Sequence, residues 1–436
     1  MALSTQPYKG ARDFYPEDKR LQKYMFGIMR RVAEQYGYEE YDAPILEPIE
    51  LYLAKTGEEI VNEQTYTFMD RGGRQVAVRP EMTPTVSRMV AGKRQELAYP
   101  LRWYSIPNLW RYERPQRGRL REHWQLNVDI FGVDNLLAEA EIIQVADGIL
   151  KAVGAAHDMY TIKINSRKLM DFIFKEYLQL DGVQTHTIAK LIDRKDKMPH
   201  EEFVAAVDSV FTPMQREAGA SNKLLGLLRI KTIEHMPEVI RQETAALEVY
   251  HLIHTLKQNR ITNVKFDMGI MRGFDYYTGI VFEIFDENPD NNRSMLGGGR
   301  YDGLVGLFGV EPVPTVGFGF GDVTLENFMR GHNLMPPMRP ETDVYVVVIG
   351  DVQKEAGRVI AEMREMGANI ATDLTGAKPD KQIKTAVKKG IHYVMFIGER
   401  DLADEQYEIK NLITGATERH SAARIVSIIK DYRGDD

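Results

Sequence analysis

Cysteine is absent from this chain of 436 residues, which excludes disulfides, thiolate zinc sites and cysteine nucleophiles together. No apolar run approaches the roughly 20 residues needed to cross a bilayer, and residues 1–10 carry no apolar core of a secretory signal. A cytoplasmic protein with no membrane partner is therefore expected. Internal repeats and low-complexity tracts are missing as well. So are a Walker loop and a dinucleotide fingerprint, and neither Gly297–Gly299 nor the alternating glycines of Gly317-Phe-Gly-Phe-Gly321 can be assigned to phosphate binding by pattern. No His-x-x-x-His occurs, which leaves His123 better read as a packed or solvent-facing side chain than as a metal ligand. A cationic surplus is lacking too. With 56 Lys and Arg against 63 Asp and Glu, the net charge of −7 argues against a surface that coats nucleic acid and restricts such contacts to local basic faces. Two segments qualify: Arg111 to Arg121 and Lys378 to Lys389.

What is present is a soluble globular composition long enough for two or three domains. Apolar residues at Leu21, Met25, Ile28, Val32 and Tyr36 recur at helical spacing and stop at Gly37. Extended segments follow at Tyr41–Leu46, Tyr66–Met69, Gln75–Val78, Leu101–Ile106 and Gln125–Phe131, with Arg71-Gly-Gly-Arg74 as a hairpin turn and a helix over Leu136–Val153. Hairpin-linked strands with helices set apart predict an α+β domain with a mixed, mainly antiparallel sheet. Between 169 and 258 the pattern is helix after helix. Strands resume at Val264–Asp267, Ile280–Phe285 and Val316–Phe320, so the helical stretch reads as an insertion into one domain spanning 1–168 and 259–334. Met335-Pro-Pro-Met-Arg-Pro340 is a stiff linker, and 341–436 alternates strands and helices in the manner of a small α/β domain with a mostly parallel sheet.

Four segments concentrate arginine, carboxylate and glycine: Arg79-Pro-Glu-Met-Thr83, Trp110 to Gln125, Arg272-Gly-Phe-Asp-Tyr-Tyr-Thr-Gly279 and Leu296-Gly-Gly-Gly-Arg-Tyr-Asp-Gly-Leu304. They supply what a polyphosphate and a small zwitterion bound side by side would require. The arginine-tyrosine block at 272–279 reads either as a pocket wall or as a core strand with an aromatic pair.

Taken in order, these segments resemble the class II aminoacyl-tRNA synthetases, and within them the histidyl-tRNA synthetase family, over essentially the whole chain. Trp110-Arg-Tyr-Glu113 with Arg114-Pro-Gln-Arg-Gly-Arg119 is similar to the second class motif. The blocks at 272–277 and 297–302 are similar to the two histidine-specific blocks, and the helix 21–36 with Pro44 to the first motif. The resemblance implies a class II catalytic domain with a helical insertion and a C-terminal anticodon-binding-type domain. It also implies ATP with Mg2+ as the substrate complex, no prosthetic group, and L-histidine and tRNA(His) as further partners in a homodimer.

By the same resemblance, Arg111 and Arg272 would be the catalytic arginines on the α-phosphate and the reacting carboxylate. Glu81, Thr83 and Gln125 would hold the α-amino group of the amino acid, with Met82 also among the histidine-binding residues. Asp129 and Tyr277 would bracket the imidazole, with Tyr276 and Tyr301 lining the pocket. Glu113 and Arg119 fit adenine and γ-phosphate, Arg114 and Gln116 the tRNA acceptor end, and Lys381, Lys384 and Lys388 the tRNA face of the last domain. One departure stands out: Thr324 occupies the place where the third class motif ends in a γ-phosphate arginine. Arg119, Arg121 or another nearby cation then substitutes, or adenylation has been lost and the chain is a histidine-sensing regulatory paralogue. The intact arginines and complete C-terminal domain favour the enzyme.

Overall fold

The computed structural model describes residues 3–53, 64–114, 118–271, 277–291 and 293–433. Gln116, Arg272 and Tyr276 fall outside them. The chain divides into two compact units, one of Met1–Phe14 with Gln22–Met335 and the other of Tyr15–Leu21 with Pro336–Asp436.

The larger unit carries, in chain order, β1 (Glu39–Glu40), β2 (Leu46–Pro48), β3 (Thr67–Met69), β4 (Gln75–Val78), β5 (Leu101–Ser105), β6 (Asn108–Trp110), β7 (Glu122–Phe131), β8 (Tyr160–Ser166), β9 (Val264–Phe266), β10 (Ile280–Asp286), β11 (Ser294–Arg300) and β12 (Thr315–Gly321). Nine of these form one sheet in the order β1-β5-β7-β12-β11-β10-β8-β9, with β6 added on β7. The outer pairs β1 with β5 and β8 with β9 are parallel, and the pairs between them antiparallel. The sheet is thus mixed and mainly antiparallel, as the hairpin spacing predicts.

Strand β7 organises this sheet. Its side chains alternate between buried Leu126, Val128 and Ile130 and the row Gln125, Asn127, Asp129 on the opposite face. Helix Leu136–Ala152, capped by the Asn135 side chain, which accepts from the Leu137 amide, packs on β7 and β12 and against helix Thr244–Gln258, which also covers β8 and β9. On the Asp129 side, helix Thr83–Lys93 starts with Pro84 in its first turn. It places Val86 and Val90 against Leu101, Phe131 and Val305. That cluster closes one end of the face, where Asp129 and Asn127 are themselves buried.

Several details differ from the sequence reading. The extended segment at Tyr41–Leu46 is two short strands flanking a strand-free stretch at 41–45, because the buried Arg79 guanidinium takes the Ala43 carbonyl and the Asp42 carboxylate there. β8 and β11 are additional to the strands expected from sequence: in β8 Tyr160, Ile162 and Ile164 alternate with Thr161, Lys163 and Asn165, whereas Gly297–Gly299 of β11 carry no side-chain period. Between 178 and 243 short helices pack around Ile188, Phe203, Val207 and Leu224, two of them opened by capping boxes at Asp181/Gln184 and Thr212/Gln215.

The second unit has β13 (Val344–Val348), β14 (Ile370–Thr372), β15 (Tyr393–Ile397), β16 (Tyr407–Asn411) and β17 (Thr417–His420), in the order β14-β13-β15-β16-β17. Only β14, β13 and β15 run parallel. The β16–β17 hairpin is antiparallel, so the sheet is mixed rather than mostly parallel. Val344, Val346 and Met395 on one face meet Ile360 and Met363 of helix Gln353–Glu365 and Ile425 and Ile429 of helix Ala422–Arg433. Tyr345, Val347 and Val394 on the other face meet Ala386 of helix Pro379–Lys388.

Candidate active site

Glycine on β12 makes the room in which the polar row of β7 stands. Gly317 lies opposite Asp129 in register, and a Cβ there would fall 2.0 Å from the Asp129 carboxylate; one at Gly319 would fall 2.8 Å from the Gln125 amide. The glycines therefore serve side-chain clearance for Gln125 and Asp129. On β11, a Cβ at Gly298 would strike the Gly317 carbonyl at 2.2 Å, and one at Gly299 the Tyr277 ring at 2.8 Å. Tyr277 is thereby laid across the Gly-Gly-Gly strand at Gly299, which pairs with Gly317 and through it with Asp129, the acceptor of the Tyr301 hydroxyl. Asp129 is 4% exposed and Tyr301 3%. Burial pushes the Asp129 carboxyl up to about 7, and the Tyr301 hydrogen bond acts in the opposite direction. This is a narrow, buried hydrogen-bond acceptor.

Asp302 and Arg300 fix the wall that carries Tyr277 and Tyr301. The Arg300 Nε and Nη2 donate to both carboxylate oxygens of Glu139 at 2.5 and 2.8 Å, and Nη1 donates to the Val133 carbonyl and Asp302 at 3.0 and 3.2 Å. Thr278 donates through its amide to the Arg300 carbonyl at 2.7 Å and through its hydroxyl to Asp302 at 3.3 Å. Glu139, Arg300 and Asp302 had no assigned role in the sequence reading. A glutamate on the buried face of helix Leu136–Ala152, among Ala138, Ala140, Ile142 and Ile143, is the signal that could have found the pair.

The loop at 79–83 is tied to the β6–β7 hairpin from both sides. Arg79 Nε donates to the Asn108 carbonyl at 3.0 Å, and Arg111 Nε to the Pro80 carbonyl at 2.9 Å. These bonds set Glu81, buried Met82 and Thr83 beside Arg111, with Thr83 opening its helix. Glu113 follows, its carboxylate 3.4 Å from the exposed Arg119; Arg114 is also exposed. Tyr41, given no site role from sequence, is a further neighbour of the pocket: burial, and then the charge of Asp129, raise its hydroxyl well above the ordinary phenol value. Tyr8, Tyr66, Trp110 and Tyr112 likewise carry no assigned role from sequence. They form an aromatic cluster in which the Arg121 guanidinium lies 3.9 Å from the Tyr112 ring centre. Their contact joins segments that no local spacing connects. His123 is partly buried, and burial, then the charges of Arg111 and Arg12, bring its pKa down to about 3, so the ring is neutral.

Thus Glu81, Met82, Thr83, Arg111 and Glu113 belong to one tied loop and hairpin, and Gln125, Asp129, Tyr277 and Tyr301 to one adjoining sheet face. The Thr324 hydroxyl is directed to the Met295 and Gly321 carbonyls at 2.8 and 2.9 Å. Lys381, Lys384 and Lys388 line the exposed side of helix Pro379–Lys388, opposite buried Gln382 and Ala386.

The model of the histidyl-tRNA synthetase family matches residues 10–322, and that of an anticodon binding domain matches residues 343–432. A histidine-tRNA ligase of Leptospira biflexa is 44% identical over 94% of each chain, and one of Thermoplasma volcanium 39% identical over 95% of this chain and 96% of its own. A crystal structure of histidyl-tRNA synthetase from Nostoc, 23% identical, superposes with a TM-score of 0.84 over 99% of this chain and 100% of the other. Fold and sequence together define a class II aminoacyl-tRNA synthetase. With a family model covering most of its length and relatives this similar end to end, the chain belongs to the histidyl-tRNA synthetase family.

Proposed function

We propose that the chain joins L-histidine to tRNA(His) in two steps on the β7 face, with ATP as the energy source. In the first, a carboxylate oxygen of histidine attacks the α-phosphorus of ATP. The bond to the β-phosphate breaks, pyrophosphate leaves and histidyl-adenylate forms. In the second, a hydroxyl of the 3'-terminal adenosine of the tRNA attacks the acyl carbon, and AMP leaves. Such reactions depend on positioning and on cations aimed at developing phosphate charge. In this reading Arg111, held by the Pro80 carbonyl, and Arg272 bear on the α-phosphate and the reacting carboxylate. Glu81, Thr83 and Gln125 take the α-amino group. Asp129 and Tyr277 take the two imidazole nitrogens, while Tyr276 and Tyr301 line the pocket. Glu113 takes adenine, Arg119 the γ-phosphate, Arg114 and Gln116 the acceptor end, and the Lys381, Lys384 and Lys388 face the tRNA.

Mg2+ enters with ATP as part of the substrate. Among the described residues no group of three His, Asp or Glu side chains is placed to hold a metal, so the ion's ligands would come chiefly from the phosphates and water. No helix among the described residues is long and apolar enough to cross a membrane, which is compatible with action in the cytoplasm. A homodimer fits the exposed apolar ground around a cavity of about 290 Å³ between Pro48, Leu51, Pro84, Leu304, Leu307 and Phe308, where a second copy would cover Leu307 and Phe308.

The observation that carries the histidine assignment is the buried Asp129–Tyr301 pair, cleared by Gly317 and bordered by Tyr277. Thr324 is the feature that favours a silent histidine-binding subunit. The two readings part on one assay, the attachment of labelled histidine to total tRNA. Acid-precipitable, ATP-dependent charging supports the ligase; histidine binding without charging supports the subunit.

A further inference from the structure

If ATP is bound here, its polyphosphate needs cations, and the arginines around the start of β7 differ in how far they are committed elsewhere. Arg79 is spent on the Asn108 and Ala43 carbonyls and on Asp42. Arg121 donates to the Glu113 carbonyl at 3.1 Å and the Tyr8 hydroxyl at 3.2 Å, and packs on the Tyr112 ring. Thr324 offers no charge and turns its hydroxyl to the main chain. Arg12 differs from these. The segment that carries it runs along β7, with the Arg121 and Glu122 amides donating to the Gly10 carbonyl at 2.9 and 3.1 Å. Its guanidinium lies 4.8 Å from the Phe14 ring centre and 6.0 Å from that of Trp124. Nη2 donates to Asp322 at 2.7 Å, while Nε is buried and has no partner. The carboxylate it faces is already shared, since Asp322 also accepts from the Trp124 amide at 3.0 Å. The Arg12 side chain is 22% exposed while that of Asp322 is 1% exposed, so the cation keeps a solvent access that its carboxylate lacks.

Two more observations locate this guanidinium. Asp322 begins the helix Asp322–Gly331 only two residues before Thr324, so Arg12 reaches the same helical turn in which the arginine is missing. The charge of Arg12 also reaches His123, where it adds to that of Arg111. Arg12 and Arg111 are therefore both near one neutral ring.

We propose that Arg12 is a substrate-binding residue for the polyphosphate of ATP, supplying from the N-terminal segment the cation that Thr324 does not. This rests on the ATP-dependent reading above. A guanidinium fixed by Phe14, Trp124 and Asp322 keeps its fork oriented while the terminal N–H groups not engaged by Asp322 take phosphate oxygens.

The test uses the full chain. Binding of MgATP is measured by calorimetry, and the KM values for ATP and for histidine by histidine-dependent exchange between pyrophosphate and ATP. Arg12→Ala should weaken MgATP binding and raise the KM for ATP by 10- to 100-fold, with the KM for histidine within about twofold of wild type. Introducing Thr324→Arg into that variant should recover part of the loss, which a merely structural role for Arg12 does not predict. Should Arg12→Ala fail to fold, Asp322→Asn decides: an ATP-binding Arg12 released from its carboxylate binds MgATP at least as tightly as before. MgATP binding unchanged in Arg12→Ala, a parallel rise in both KM values, or several-fold weaker MgATP binding in Asp322→Asn would overturn the proposal. A wild-type chain that binds MgATP but shows no exchange, with the Arg12 variant weakened, would leave Arg12 standing and remove the ligase reading instead.

Discussion

Asp129 is a carboxyl held protonated to about pH 7 by burial, in a site where we propose it must accept from an imidazole N–H as a carboxylate. Histidine binding should then expel a proton near neutrality, and the KM for histidine should rise as pH falls below about 7. The free substrate's own imidazole titrates near 6.5 and steepens the same limb. Asp129→Asn should abolish the Asp129 part of that dependence. It should also raise the KM for histidine about 10- to 100-fold, the equivalent of one charged hydrogen bond at roughly 1.5–3 kcal/mol. A pH series of KM values for both proteins checks it. The sign for stability is the reverse of the usual carboxylate. Because the folded pKa lies above the unfolded one, Asp129 contributes stability below about pH 4 that is lost as pH rises through about 7. Urea melts of the unliganded protein across that window should show the decline, and Asp129→Asn should lose that component. Arg111, by contrast, is expected to act on rate: Arg111→Ala should lower kcat for exchange by about a hundredfold or more.

Among elements, β12 and β11 matter most, because their glycines are what allow side chains from neighbouring strands to stand in a closed sheet. Gly317→Ala would put a methyl 2.0 Å from the Asp129 carboxylate and 2.6 Å from the Val128 carbonyl. We expect a loss of about 1–3 kcal/mol in denaturant stability together with weakened histidine binding, measured on the same preparation. These strands also mark what could be read in advance. The helix predicted over 21–36 is found at Pro16–Gln35, and the hairpin with its turn at 71–74 joins β3 to β4, since amphipathic period and turn chemistry are written locally. β11 was illegible because its Gly-Gly-Gly run obeys the Gly317 carbonyl and the Tyr277 ring, not a side-chain period. The β16–β17 hairpin was missed too, as its outer strand Thr417–His420 is polar along its length with no residue fully buried. At the site, resemblance supplied Asp129, Gln125 and Arg111, while the Glu139–Arg300 support joins residues 161 positions apart and needed the fold. Glu139→Gln should cost about 3–5 kcal/mol by leaving Arg300 buried against a weakened partner.

For the whole molecule, the two compact units suggest two separable tasks. The exposed lysines 381, 384 and 388 belong to the second unit. Their triple replacement by alanine should lower kcat/KM for tRNA charging about tenfold or more, while exchange between pyrophosphate and ATP stays at the wild-type rate. A salt titration of charging should become shallower in that variant. The central claim is that this chain activates histidine with ATP despite the threonine at 324. The most direct test is histidine-dependent exchange of labelled pyrophosphate into ATP by the purified full chain, without tRNA. The account predicts exchange that requires histidine and is lost in Arg111→Ala; histidine binding with no exchange above background would contradict it.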